Sequence, residues 1–373
     1  LVLLSLLATL YLLARRWAAP LPAALLAAAA LFVSEVNLSM RPQIISFLLI
    51  AITTAAWLRT REDQSIRWWL IPLTWLWAMT HGMWPIGIGI GFVAVAGLAM
   101  DRALPRHILA RASLVPFLSA VGAALTPTGP ALYGAVLAVN DRKQYFSEWA
   151  SPNFSNPGCV VLGILLALGA TLMIRRTDRT VLSLGLFLVA AMCAVWSWRT
   201  VPVSAMILVP LVARQIPAGT LANRRERFLI AGVSALALAA LAVAVPRTAS
   251  DPPSQPAWLD PALSALPAGT KVVDSSDYGG YLMWRYPQLD LLSHGYGDTF
   301  TVAELQRNVN IATLAPGWDR ELRMTGCTVA ILRPTSTLGY ALIHEEHWIV
   351  LHRSATVAEL RAPAGWLTTD EHE

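Results

Sequence analysis

The sequence predicts an α-helical polytopic membrane bundle followed by a small α/β domain outside the cytoplasm. Three observations predict it. The chain of 373 residues is 55% hydrophobic and only 14% charged, with a mean hydropathy of +0.53, whereas a water-soluble domain carries about 25% charged residues. The apolar residues fall into long runs separated by arginines. The charge is also divided: residues 1–245 hold 19 Lys/Arg against 8 Asp/Glu, a net of +11, and residues 246–373 hold 9 against 15, a net of −6. The basic residues thus lie between apolar runs, where topology signals belong, and give no sign of nucleic-acid binding.

A spanning helix needs roughly 20 apolar residues. The chain opens on Leu1 and is apolar at once, with neither a charged leading segment nor a small-residue cleavage site, so it does not read as a signal peptide. It reads as a chain that begins inside a spanning helix, which ends at Arg15-Arg16. Further runs extend from Ala18 to Val33 and from Ile44 to Leu58. Trp68 to Met100 is too long for one span and short for two. Thr80-His81-Gly82 breaks it, which predicts two short helices meeting near one membrane face. Ala112 to Val139 is interrupted at Thr126-Pro127-Thr128-Gly129-Pro130, a polar loop follows at 140–157, and later spans are expected near 158–174, 180–196, 201–213 and 227–245. The expected organisation is a transmembrane domain over 1–245 of about nine or ten spans, a linker at 246–261, and an extracytoplasmic α/β domain at 262–373.

Alternating these spans with Arg15-Arg16 on the cytoplasmic side places 15 of the 19 cations of the membrane part inside. Arg41, Arg142, Lys143 and Arg199 are left outside. A wrong span count would scramble this bias. The last span then delivers residues 246–373 to the outer side. The Pro/Ser/Asp/Ala stretch at 246–261 has a linker's composition. Beyond it, strands are predicted at Lys271 to Asp274, Leu289 to Leu292, Cys327 to Leu332 and Trp348 to His352, and helices at Val302 to Ile311 and Leu338 to Glu345, which together read as α/β. The three cysteines give no disulfide framework.

The same alternation gathers the unusual polar residues on the outer side. Ionisable groups at membrane depth are costly and tend to be functional. Arg41, opening a span in Met40-Arg41-Pro42-Gln43, supplies a guanidinium fork for a phosphate or carboxylate; the alternative is a snorkelling end residue. His81, at a His-Gly break among tryptophans, is a candidate hydrogen-bonding or acid/base group, or else a packed interfacial histidine. Glu148 and Trp149 sit in the longest outer loop, as a base, metal ligand or sugar-hydroxyl acceptor beside an aromatic platform, or as part of an amphipathic interfacial loop. Arg199 closes one span and opens the next, as a second cation for an anionic head group or as a turn residue.

Weaker signals carry less. Gly87 and Gly91 have a spacing that more often means close helix packing. His344-Glu345-Glu346-His347 reads as a solvated helix end rather than a metal site. Tyr278-Gly279-Gly280-Tyr281 lacks the lysine and glycine spacing of a phosphate loop.

In order, the chain carries Arg41-Pro42-Gln43, then Leu76-Trp77-Ala78-Met79-Thr80-His81-Gly82, Glu148-Trp149-Ala150-Ser151-Pro152, Arg199-Thr200-Val201-Pro202, and Asp277-Tyr278-Gly279-Gly280-Tyr281-Leu282-Met283-Trp284. This series resembles a large family of uncharacterised bacterial polytopic membrane proteins related to GT-C glycosyltransferases, over nearly the whole chain. Two segments depart from the family. Thr80 stands where it has Asn, and Ser293-His294-Gly295-Tyr296-Gly297-Asp298 stands where it has Asp-Gly-Arg, so no role is carried over to that stretch. The acidic motif that GT-C enzymes carry in their first outer loop would precede the first residue of this chain.

The resemblance implies a GT-C-like fold and a membrane glycosyltransferase that uses a polyprenyl-phosphate-linked sugar donor at the outer face of the cytoplasmic membrane. Its partners would be the lipid-linked donor, an envelope glycan, lipid or protein acceptor, and membrane lipids, with no nucleic acid. Arg41 and Arg199 would hold the lipid phosphate, Trp84 and Trp149 the sugar, and Glu148 and His81 the proton transfers. No metal ligand is assigned; the cofactor stays open, a divalent metal included. Two other classes remain: a transporter or flippase of a lipid-linked or envelope precursor, and a non-catalytic membrane-anchored binding protein.

Overall fold

The computed structural model of the chain describes residues 2–38, 42–175, 179–216, 256–294 and 300–367, and single positions between 224 and 242. The chain divides into two compact units, Leu1–Ala242 and Val243–Glu373. It is mostly helical, with one small mixed sheet.

The first unit consists of α1 (Val2–Arg15), α2 (Pro20–Ser34), α3 (Gln43–Asp63), α4 (Leu70–Ala78), α5 (Trp84–Met100), α6 (Arg106–Ala123), α7 (Ala131–Arg142), α8 (Pro157–Arg175), α9 (Val181–Trp196) and α10 (Val201–Gln215). Short 3-10 turns at Ser147–Trp149 and Trp198–Thr200 matter for the site. Among the described residues two helices, α3 and α8, are long and apolar enough to cross a membrane, and α1, α2, α5 and α9 are shorter apolar helices. The α3 helix runs past the apolar stretch that announced it, through Arg59 and Arg61 to Asp63. Arginine sustains a helix, and the end comes only where Gln64 turns left-handed at φ 54°. The break at residues 79–83 falls as expected. Three donors, the N–H groups of Thr80 and His81 and the Thr80 hydroxyl, crowd onto the Trp77 carbonyl and end α4. At nine residues, α4 is about 13 Å long, less than half of a bilayer's hydrocarbon core. The span expected at 227–245 lies largely outside the described residues.

The centre of this unit is α10. Every residue from Val201 to Ala213 is buried, and the helix packs against α1, α2, α3, α8 and α9. The surrounding helices are apolar outside as well as inside. On α9 the exposed residues include Leu184, Leu188, Met192 and Val195, and on α8 Val160, Ile164 and Leu168. These spacings of three and four trace an outward stripe along each helix. A helix of a water-soluble bundle is polar on that side.

Close packing uses glycine. A Cβ on Gly97 of α5 would lie 2.5 Å from the Leu182 Cα of α9, so the two backbones meet there. Gly87 lies under the Trp77 ring, and Gly91 faces Pro116 and Trp57. The paired glycines thus admit large rings from neighbouring helices.

The second unit contains α11 (Leu259–Ser264), β1 (Lys271–Asp274), α12 (Ser276–Arg285), β2 (Asp290–Leu291), α13 (Val302–Thr313), α14 (Trp318–Thr325), β3 (Val329–Leu332), α15 (Thr337–His344), β4 (Ile349–Arg353) and β5 (Ala358–Arg361). The sheet order is β2-β1-β3-β5-β4; β1 pairs in parallel with β2 and β3, and β5 is antiparallel to β3 and β4. Alternation along the strands separates two cores. Val272, Val329 and Ile331 pack with α11 and α12, while Val273, Ala330 and Leu332 pack with α13, α14 and α15. Helices therefore cover both faces of the sheet. The α11 helix begins at Leu259, inside the stretch that composition assigned to the linker. The other elements the sequence did not announce are α12, α14 and β5.

Candidate functional site at one end of the helical unit

Five chain segments meet where α3 begins: the start of α3, the break after α4, the turn at Ser147–Trp149, the end of α9 and the start of α10. Backbone and small polar groups fix the meeting. The Trp198 N–H donates to the Ala150 carbonyl at 3.0 Å, which joins the 147–150 turn to the α9–α10 connection. Asn37 Nδ2 donates to the Trp198 carbonyl at 3.3 Å, and Gln43 Nε2 donates to the Asn37 carbonyl at 2.6 Å. Ser197 and Thr200 cap the turn reciprocally, and the Thr200 hydroxyl returns to the Cys193 carbonyl at 2.6 Å. Arg199 is thereby held on a rigid corner between two helices.

Among the described residues its guanidinium meets Glu148, His81 and Trp149. Nη1 donates to Glu148 Oε1 in an ion pair. Nη2 lies 3.4 Å from His81 Nε2. The plane lies over the Trp149 ring, 5.2 Å from its centroid, a cation–π distance. Glu148, His81, Arg199 and Trp149, expected from the sequence as site residues, are thus brought together. The side chains of Arg199 and Glu148 are 24% and 28% exposed, so the pair is open enough for a ligand to reach. Trp84 stands apart from this expectation. It is 1% exposed, its ring meets Tyr133 edge-on at 5.0 Å, and among the described residues its Nε1 has no hydrogen-bond partner. A ring so enclosed has no face for a sugar. Arg41 lies outside the described residues.

Behind His81 is a pair the sequence did not single out. Ser46 Oγ is 2.9 Å from His81 Nδ1, and it accepts from Trp77 Nε1–H at 2.8 Å. Ser46 and Trp77 are fully buried. A serine three residues into an apolar helix is a weak signal, because most such hydroxyls return to their own helix.

The opposite end of the helices has its own polar network. Asp101 accepts from the N–H groups of Val181 and Leu182 at 2.7 and 3.2 Å, capping α9, with Arg61 at 3.9 Å. Glu62 accepts from Arg214 and from Trp17 Nε1, and Asp63 accepts from Arg67. Here each cation locks a helix end to a neighbour, whereas the Arg199 cluster is built from two turns and a helix break.

In the second unit, Asp274 ends β1 and is buried. Its Oδ1 accepts from the Ser293 N–H at 2.8 Å, and among the described residues Oδ2 has no hydrogen-bond partner. Burial, the largest cause, pushes the carboxyl up to about 7 against the opposing pull of the Ser293 N–H. Gly279 covers it; a Cβ there would sit 2.7 Å from Oδ2 and 2.6 Å from the His294 Cα. Nearby, burial lowers the His294 imidazole. At the far end of this unit, Glu346 pairs with Arg323 at 2.9 Å and His344 packs on Tyr340. Among the described residues no group of three His, Cys, Asp or Glu side chains is placed to hold a metal ion.

No family model matches the chain, and no curated protein matches it. The functional reading therefore stands on the geometry of the Arg199 cluster.

Proposed function

We propose that the chain is a polytopic membrane protein with its C-terminal domain outside the cytoplasm, and that its helical unit transfers a sugar from a polyprenyl-phosphate donor to an envelope glycan, lipid or protein. The observation that carries the reading is the meeting of Arg199, Glu148, His81 and Trp149 at one end of an apolar helical bundle. Two features support its placement in a bilayer. The outward stripes on α8 and α9 are apolar, as lipid requires. Arg61, Arg67 and Arg214 gather at the end opposite Arg199, as the positive-inside rule orders them.

The chemistry then follows from the residues. A polyprenyl phosphate lying in the membrane presents its anion at head-group depth. Arg199 is placed to donate to it with charge-assisted hydrogen bonds and to stabilise the negative charge that grows on the leaving phosphate. Trp149, already stacked on the guanidinium, keeps the fork oriented. The acceptor hydroxyl must lose its proton as its oxygen attacks the sugar carbon, and Glu148 and His81 are the groups within reach of that event.

The test uses purified full-length chain in nanodiscs, a radiolabelled polyprenyl-phosphate sugar and an envelope extract as acceptor. The expected result is release of polyprenyl phosphate with label in the acceptor, and a rate about 100-fold lower in Arg199→Ala. Saturable donor binding without release would identify a binding protein instead, and no donor interaction at all would remove the reading.

A further inference from the structure

Two contacts of the His81 ring, one at each nitrogen, bear on where its proton sits. Nε2 is 3.4 Å from Arg199 Nη2. A guanidinium has five donors and no acceptor and stays charged at any relevant pH, so Nε2 meets it as an acceptor. Nδ1 then carries the hydrogen of the neutral ring. On that side is Ser46 Oγ at 2.9 Å, which also accepts from Trp77 Nε1–H at 2.8 Å. A hydroxyl oxygen has two lone pairs, so it can accept from both Trp77 and His81 when Nδ1 carries the ring hydrogen. The indole cannot exchange roles, because its nitrogen only donates. The opposite tautomer would set an Nε2–H against the Arg199 N–H groups.

From this we infer that Ser46, anchored by Trp77, is the positioning residue that presents His81 Nε2 as the proton acceptor of the site, in place of Glu148. The inference deepens the glycosyltransferase reading and rests on it for the identity of the reaction. Glu148 is already committed to Arg199 as an ion pair, and that commitment would have to be broken for it to serve the acceptor hydroxyl. The contact of His81 with Arg199 is at the long limit of a hydrogen bond and is easily given up when the guanidinium turns to a phosphate. The step then balances. The acceptor oxygen bonds to the sugar carbon as its proton passes to Nε2. The bond from that carbon to the phosphate oxygen breaks, and the polyprenyl phosphate leaves with the electron pair, its charge held by Arg199. The imidazolium returns its proton to water. Ser46 and Trp77 touch neither substrate nor reacting atoms. They act through the orientation and tautomer of the ring, as the partner of the other nitrogen does in histidine catalysis generally.

The test reads the tautomer directly. Full-length chain with ¹⁵N-histidine in nanodiscs is compared with His81→Gln to assign the His81 signals among the seven histidines. The expected result is a neutral ring protonated at Nδ1 in the wild type. In Ser46→Ala the ring should become a mixture of tautomers, and Ser46→Thr, which restores the hydroxyl, should return it to Nδ1–H. A wild-type ring protonated at Nε2, or an unchanged Nδ1–H tautomer in Ser46→Ala, overturns the inference whether or not the chain transfers sugar. With the transfer assay running, Ser46→Ala should lower kcat about tenfold with KM for the donor unchanged, and Glu148→Gln should keep more of kcat than His81→Gln. The reverse order of those two would return the proton to Glu148. Absence of transfer in the wild type fails the glycosyltransferase reading and leaves the tautomer result to decide the role of Ser46.

Discussion

Arg199 is bound to Glu148 on one side and faces His81 and Trp149 on the others, so the phosphate of the proposed donor would share or replace the carboxylate. A lysine keeps the charge and loses the planar fork. Arg199→Lys should therefore weaken binding of a short polyprenyl phosphate several-fold, and Arg199→Ala by about 1.5–3 kcal/mol, tenfold or more. Unchanged affinity in Arg199→Lys, measured by titration in nanodiscs, would leave this arginine a structural corner. Asp274 makes a separate prediction through pH. Its folded carboxyl titrates near 7 because it is buried, while an unfolded aspartate titrates near 3.9. Between those values the unfolded chain releases the proton and the folded one retains it, so stability falls as pH rises from about 4 to about 7 and is flat above. Residues 255–373 should melt at a higher temperature at pH 5 than at pH 8, and Asp274→Asn should remove most of that difference. The lowered His294 works the other way at acid pH, which is why the contrast with the variant carries the argument. A wild-type melt with the same pH profile as Asp274→Asn would show that this carboxyl is not the cause. The grouping of His81, Glu148, Trp149 and Arg199 was legible in the sequence because charge is scarce there, His81 and Arg199 fall at breaks between apolar runs, and Glu148-Trp149 lies in the longest polar loop between them. Ser46 and Asp274 were not. A hydroxyl inside an apolar helix and an acid at a strand end are ordinary until their neighbours are known.

At the scale of elements, boundaries followed local chemistry wherever a cap or break was present. The helix ends around Thr80-His81-Gly82 and the pause at residues 126–130 were readable because crowded donors, proline and glycine act within a few residues. The α12 helix was not readable. Its Tyr278-Gly279-Gly280 looks like a breaker, yet the glycine is required there because a Cβ would strike the backbone at His294. The β5 strand, only Ala358 to Arg361, is defined by pairing with β3 and β4 and has no local signature. Gly97 offers the sharpest test of packing. Gly97→Ala places a methyl within 2.5 Å of the Leu182 backbone, and no side-chain rotation relieves that contact. The variant should lose several degrees of thermal stability in detergent, whereas Gly89→Ala, which has nothing within 4 Å of its new methyl, should hold or gain through helix propensity. Equal melting of the two would mean that α5 and α9 approach less closely than the structure places them.

For the molecule as a whole, the cation bias and the two ends of the helical unit make one topological prediction. Cysteines introduced at Ser151 and Ser264 should react with an impermeant maleimide in intact cells, and one at Ser65 should react only after lysis. Labelling at position 65 from outside would reverse the orientation. The second unit has its own two cores, one on each face of its sheet, so residues 255–373 should fold alone with a cooperative melt; a circular-dichroism spectrum of unfolded chain would make its folding depend on the first unit. The enclosure of α10 has a consequence for biogenesis. Among the described residues the helices that pack most on it, α1, α2, α3, α8 and α9, all precede it in the chain, so the ribosome delivers the hub after the wall. Until residue 215 emerges, those five helices have inner faces with no permanent occupant, and a nascent chain stopped near residue 200 should be a substrate for quality-control proteolysis, while one stopped beyond residue 216 should persist. A substitution in α10 would then act chiefly on the yield of mature protein, leaving the activity of each surviving molecule close to normal.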